Sequence, residues 1–171
     1  MSKKSDLIEK AKLFAKDAHE SIGQTRKYTG EPYFVHPYEV ARIVMDSGGD
    51  EAMICAAYLH DVVEDTPVTL KIIESEFGPD VASLVEMLTD ISTPADGNRA
   101  ARKAIDLAHT EQASPRAKTI KLADLISNTK SIVQHDPEFA KTYLSEKAKL
   151  MCVLTEGDAE LWMIALQQIE I

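Results

Sequence analysis

Proline and glycine punctuate this chain without once entering an apolar-periodic segment. Pro32, Pro37, Pro67, Pro79, Pro94, Pro115 and Pro137, with Gly23, Gly30, Gly48, Gly49, Gly78, Gly97 and Gly157, all lie between such segments. A proline inside a helix removes a hydrogen bond and clashes with the preceding turn, so this placement marks where helices can run. The stretches left between them have helical period: Leu7, Ala11, Phe14, Ala15 and Ala18; Val40, Ile43 and Val44; Val81, Leu84, Val85 and Leu88; Leu161, Trp162, Ala165, Leu166 and Ile169. Start signals agree, with Thr69 before Leu70, Ser114 before Pro115, and Asp158 after Gly157. No stretch alternates as a strand between hairpin turns, and there is no repeat or low-complexity tract. The pattern predicts an all-α fold of about nine helices. A chain of 171 residues buries roughly 70% of its unfolded surface, so a single domain over residues 1–171 is expected. Gly23 to Val35 and Ser92 to Asn98 are the long irregular stretches, where function carried on loops is expected.

Charge narrows the partners. Nineteen Lys and Arg against 28 Asp and Glu give a net charge of −9, a field that repels nucleic acids and anionic membranes alike. The longest apolar run, Ala52 to Leu59, is far short of the ~20 residues of a membrane helix. The first residues carry Lys3, Lys4, Asp6, Glu9 and Lys10 rather than a signal-type apolar stretch. Cys55 and Cys152 lie in apolar helical surroundings without metal-pair spacing, and two buried thiols are expected. A cytoplasmic protein with no membrane and no nucleic-acid partner follows; composition leaves the oligomeric state open. The charge is uneven along the chain. Arg99, Arg102, Lys103, Arg116, Lys118, Lys121 and Lys130 face only Asp106, Glu111 and Asp124 over residues 99–130, a local +4 that leaves −13 elsewhere. A small anion is compatible with that distribution.

The hexapeptide His60-Asp61-Val62-Val63-Glu64-Asp65 ends the apolar run. On a helix, His60 and Glu64 are i,i+4 neighbours, and so are Asp61 and Asp65. Four polar groups at the end of an apolar helix are costly to bury without partners, so they are expected to line a polar cleft. A His-Asp pair alone means little, because composition predicts about 0.4 of them by chance. The second pair, His135-Asp136, stands before Pro137 and reads as a helix end. Two further positions strengthen the first pair: His36 at the entrance of the second helix, and Asp124 interrupting the apolar face Ile120 to Ile126, with Asn128 one turn on. A mid-helix carboxylate on such a face needs a partner. A metal and a buried His–Asp hydrogen-bond network both satisfy it.

These segments resemble the HD-domain phosphohydrolases, and more narrowly the (p)ppGpp hydrolase domain of the RelA/SpoT family and its free-standing small alarmone hydrolases. The matching stretches are Arg26-Lys27, Gly30-Glu31-Pro32-Tyr33, His36-Pro37, Val40-Ala41, His60 through Thr66, and Lys121-Leu122-Ala123-Asp124 with Asn128. The resemblance implies an all-helical bundle with His36, His60, Asp61 and Asp124 as metal ligands, a set that suits Mn²⁺, or else Fe or Co. It implies that Glu64 and Asp65 orient water and exchange protons in releasing the 3′-diphosphate of guanosine tetra- or pentaphosphate. By the same resemblance, Arg26 and Lys27 cover the guanine, Tyr33 is the pocket aromatic, and Asn128 and Lys121 contact substrate. Arg102 and Lys103 approximately match a basic pair toward the diphosphate. Tyr28, Leu125, Lys130 and the Pro94 to Gly97 loop depart from the long bifunctional enzymes. Two other readings stay open: an HD phosphohydrolase acting on another nucleotide or NADPH, and a catalytically silent nucleotide-sensing module.

Overall fold

The computed structural model describes residues 3–170, which fall into two compact units divided between Thr89 and Asp90. Among the described residues there are ten α-helices and no β-strand, only one antiparallel bridge between Thr25 and Pro32. The first unit holds α1 (Lys3–Ser21), α2 (Val35–Asp46), α3 (Glu51–Leu59), α4 (Val62–Asp65), α5 (Leu70–Phe77) and α6 (Pro79–Leu88). Its centre is α3, in which Met53 through Leu59 are all buried. A helix apolar all round can lie only inside, and α1, α2 and α6 pack around it. Asp50 starts α3 by accepting from the Met53 N–H at 2.9 Å.

The second unit holds α7 (Arg99–Glu111), α8 (Pro115–His135), α9 (Pro137–Val153) and α10 (Ala159–Gln167), with short 3₁₀ turns at Pro94–Asp96 and Gln168–Glu170. Helix α8 is its spine, buried along Ala117 to Ile126 except at Lys121, and packed against α9 and α10. The expected start signals are used. Thr69, Ser114 and Asp158 each accept from a backbone N–H of the first turn they precede. Asp136 caps α9 through the Phe139 N–H, so the second His-Asp pair is a helix junction. No described helix is long and apolar enough to cross a membrane.

Two expectations are corrected. The hexapeptide is not one continuous helix: α3 stops at Leu59, and α4 starts anew at Val62 after Asp61 takes φ −103° and ψ −3°. No glycine or proline announces this break. It is stabilised by the side chain of His60, which bonds back to the last turn of α3. Cys55 is buried, but Cys152 is exposed. It follows Met151, one of the buried positions of α9, and one residue further round a helix is a turn of about 100° away from the packed face.

Candidate functional site

The first unit gathers its polar groups at chain breaks. His36 is the second residue of α2 and is 1% exposed; His60 closes α3 and is 3% exposed. The His60 Nδ1 lies 2.7 Å from the Ala57 carbonyl oxygen. A carbonyl only accepts, so Nδ1 carries the proton, and in the neutral ring Nε2 keeps its lone pair. That Nε2 faces Asp61 Oδ2 at 3.1 Å, and the His36 Nε2 faces the same oxygen at 3.7 Å. The two rings meet edge to face at 5.2 Å. Two imidazoles and a carboxylate converging on one point form a nitrogen–oxygen donor set that suits a divalent first-row cation. A backbone carbonyl holding the far nitrogen of a ligating histidine is the usual support of such a site.

Tyr33 belongs to this cluster. Its hydroxyl donates to Asp61 Oδ2 at 2.5 Å. Its ring lies 4.8 Å from that of His19 and 5.9 Å from that of His36, with the Arg26 guanidinium 5.7 Å from its centre. Lys27 is exposed, its ammonium over the ring of Tyr28. Glu64 is exposed on α4, whereas Asp65, the last residue of that helix, is half-buried and accepts from Gln24 Nε2 at 3.1 Å. Burial, and then the charge of Asp61, raise the Asp65 carboxyl above the usual carboxylate range; the Gln24 hydrogen bond acts in the opposite direction. Gln24 in turn contacts His19 Nδ1 at 2.8 Å. Sequence reasoning passed over His19 and Gln24. One signal was available, since His19 continues the Ala11, Ala15 stripe of α1 at the next i+4 position and is 1% exposed.

In the second unit the polar groups stand in mid-helix. Asp124 is 7% exposed. Its Oδ2 accepts from Lys121 Nζ at 2.9 Å and its Oδ1 from Asn128 Nδ2 at 3.0 Å, one partner three residues back and one four ahead. Burial alone would lower the Lys121 ammonium, but the Asp124 and Asp90 carboxylates outweigh it and hold the group above its ordinary value. These residues line a cavity of about 500 Å³ together with Lys103, Arg99, Tyr143, Lys147 and the apolar Leu107, Leu125 and Leu150. Lys103 of the proposed basic pair lines it, and Arg102 does not. The +4 of the linear stretch shrinks on this wall, where Arg99, Lys103, Lys121, Lys147 and Lys149 meet Asp90, Asp106, Asp124 and Glu146. Lys147 is fully buried, donating to Thr129 Oγ1 at 2.9 Å and Gln168 Oε1 at 2.7 Å, and burial lowers it to about 8. Tyr143 and Lys147 are not nominated by the sequence, and Arg99 only as a member of the basic stretch. Tyr143 and Lys147 lie on α9, outside every recognised motif.

Comparison with known proteins adds four findings. Residues 11–153 match the family model described as HD domain. The chain is 40% identical over 141 residues to the guanosine-3′,5′-bis(diphosphate) 3′-pyrophosphohydrolase MESH1 of Xenopus tropicalis, which covers 81% of this chain and 76% of that one. It is 41% identical over 135 residues to a Synechocystis protein named "Probable guanosine-3′,5′-bis(diphosphate) 3′-pyrophosphohydrolase", covering 77% of this chain but spanning only 17% of that protein's length. Among solved structures, one described as a metazoan ortholog of SpoT that hydrolyzes ppGpp superposes with a TM-score of 0.86 at 29% identity, covering 99% of this chain and 96% of that one.

Proposed function

This chain belongs to the HD-domain family, and from that premise we propose that it is a divalent-metal-dependent hydrolase of (p)ppGpp. It adds water to the 3′-diphosphate ester, releasing pyrophosphate and leaving GDP from the tetraphosphate or GTP from the pentaphosphate. The observation that carries the reading is the convergence of the buried His36 and His60 imidazoles on the Asp61 carboxylate, with the His60 proton held on Nδ1. The substrate class comes from the relatives, two of which are named for this reaction.

His36, His60 and Asp61 would hold the cation, with Asp124 as the further ligand that the resemblance assigns. Manganese suits two imidazoles with carboxylates, and iron or cobalt come next. Such a cation supplies Lewis acidity toward phosphoryl oxygens and a water of lowered pKa. Asp65, its proton affinity raised by burial, takes the proton from the attacking water at Oδ1 and returns one to the departing 3′ oxygen. Glu64, exposed on the same turn, orients that water. Arg26 and Lys27 cover the base, while Lys103, Lys121 and Asn128 bind the polar part of the nucleotide. Tyr33 has a second role beside the base, because its hydroxyl fixes Asp61. The substrate is a free nucleotide met in the cytoplasm, with no nucleic acid and no membrane involved.

Product analysis tests this. Purified protein with Mn²⁺ and ppGpp is expected to release equimolar pyrophosphate and GDP, and none after chelation. Deoxynucleoside monophosphates and NADPH complete the panel. Turnover of one of these without pyrophosphate release from ppGpp overturns the substrate assignment.

A further inference from the structure

We propose that Gln24, held by His19, is a positioning residue for Asp65. The claim rests on the hydrolase reading, in which Asp65 moves the proton.

It begins with the way α1 ends. Gly23 takes φ +62°, its N–H bonds to the Glu20 carbonyl at 3.0 Å, and the Gln24 N–H reaches back to the His19 carbonyl at 3.1 Å. That pair of bonds is a Schellman turn, which brings the side chains of its first and last residues together, most often as an apolar contact. Here the contact is polar. His19 Nδ1 and Gln24 Oε1 stand 2.8 Å apart, and an amide oxygen only accepts, so the imidazole N–H is the donor. The opposite end of the amide is thereby fixed as Nε2, and it donates to Asp65 Oδ2 at 3.1 Å. A flipped amide would put oxygen against carboxylate oxygen and an NH₂ against the imidazole N–H. The direction of the chain is therefore set at both ends.

The remaining contacts hold this arrangement rigid. His19 is 1% exposed and packs on Tyr33, whose own N–H bonds to the Gln24 carbonyl at 3.0 Å. Fixing a glutamine side chain costs up to about 2 kcal/mol of rotamer entropy, and an apolar pair would close the same turn without it. The polar version has one distinct effect: it occupies Oδ2 of Asp65, fixes the plane of the carboxylate, and leaves Oδ1 for the proton.

The test compares wild type with five variants. In Gln24→Met, which keeps the shape but not the donor, kcat is expected to fall about 10–100-fold, the loss typical of outer-shell changes, with KM and Mn²⁺ affinity unchanged. His19→Asn, whose amide nitrogen replaces Nδ1, retains most of kcat, whereas His19→Leu falls to the level of Gln24→Met. In an Asp65→Asn background, Gln24→Met costs nothing further. A normal kcat in Gln24→Met, or an additive loss in the Asp65→Asn background, overturns the proposal. A readout without turnover keeps it falsifiable if a variant misfolds. Metal-free wild-type protein must show a slowly exchanging His19 ring N–H by NMR, and its absence also overturns the geometry. Wild-type protein that shows the signal but leaves ppGpp intact defeats the hydrolase reading, and the kinetic role of Gln24 with it. Wild-type turnover matched by Gln24→Met defeats this inference alone.

Discussion

The first unit puts its chemistry where the chain breaks, and the second puts its chemistry in the middle of a helix. His36, His60, Asp61 and Gln24 stand at the ends of α1, α2 and α3, and are tied by partners remote in sequence: Tyr33 to Asp61 across 28 positions and Gln24 to Asp65 across 41. Asp124 stands inside α8 and is tied by Lys121 and Asn128, three and four residues away. The same problem, a carboxylate withdrawn at least partly from water that needs hydrogen-bond donors, has thus been solved by tertiary contact in one unit and by helical periodicity in the other. The difference teaches which changes each arrangement tolerates. A local trio survives the loss of one member, because the other partner is held by the same helix. A remote tether has no such reserve.

Asp61→Ala is expected to have the largest effect. It removes the oxygen on which Tyr33 and both imidazoles converge, and Mn²⁺-dependent release of pyrophosphate should fall by at least about 10²–10³-fold, the range seen when a charge-stabilising group is lost. His135→Ala serves as the control, since that residue is the last of α8, in the second His-Asp pair. Equal activity in the two variants would move the reaction centre away from the chain break. Tyr33→Phe comes next. A hydrogen bond to a charged acceptor is worth about 1.5–3 kcal/mol, so Mn²⁺ affinity measured by calorimetry should weaken about 10–100-fold. Asn128→Leu removes a 3.0 Å bond from Asp124 but leaves Lys121 on the other oxygen, and should cost less than about tenfold. If the two variants weaken the metal equally, remote and local tethering do not differ in the way argued above.

The same distinction explains what could be read from sequence. Asp124 and Asn128 are legible together because their relation is a spacing, and spacing is visible in one dimension; Lys121 enters through the resemblance, as a substrate contact rather than as a partner of Asp124. The caps at Thr69, Ser114 and Asp158 were identified for the same reason. The break between α3 and α4 was not, since apolar periodicity runs through it and the group that stabilises it is a histidine bonding to its own helix. Gln24 was invisible because its partner lies 41 residues away. Lys147 was missed because a lysine in the packed face of α9 contradicts composition, and only the acceptors Thr129 and Gln168 make it tenable.

Two buried titratable groups, one in each unit, shift with opposite signs. Lys147 falls from 10.5 to about 8 through burial. Between those values the unfolded chain binds the extra proton, so stability rises with pH across that window, by up to about 1.4 kcal/mol per unit. Cys55 in α3 rises from 9.0 to about 12, through burial first and then the charges of Glu51 and Asp50. There the folded chain keeps the proton, so its contribution is complete below pH 9 and is lost as pH climbs toward 12. Urea unfolding at pH 8, 9 and 10 should show wild type rising from pH 8 to 9 and then levelling as the two slopes oppose each other, Lys147→Met lacking that first rise and falling above pH 9, and Cys55→Ala continuing to rise to pH 10. A Lys147→Met profile parallel to wild type would mean that the amine is not desolvated in solution.

The smallest effect is the one that best separates a structural turn from a functional one. Gly23 and Gly48 both have positive φ, +62° and +86°, and a Cβ added at either meets nothing within 4 Å. Alanine at each position therefore incurs left-handed strain alone, about 1–2 kcal/mol, and the two variants should lose similar amounts of thermal stability. Their sites differ. Gly48 ends the turn after α2, bonding to Met45, and touches none of the groups discussed above. Gly23 makes the turn that sets His19 beside Gln24 and so points the amide at Asp65. With stability matched, any additional loss of kcat in Gly23→Ala reports the aim of that amide rather than the integrity of the fold. Equal kcat in the two would make the turn at the end of α1 a helix terminus and nothing more.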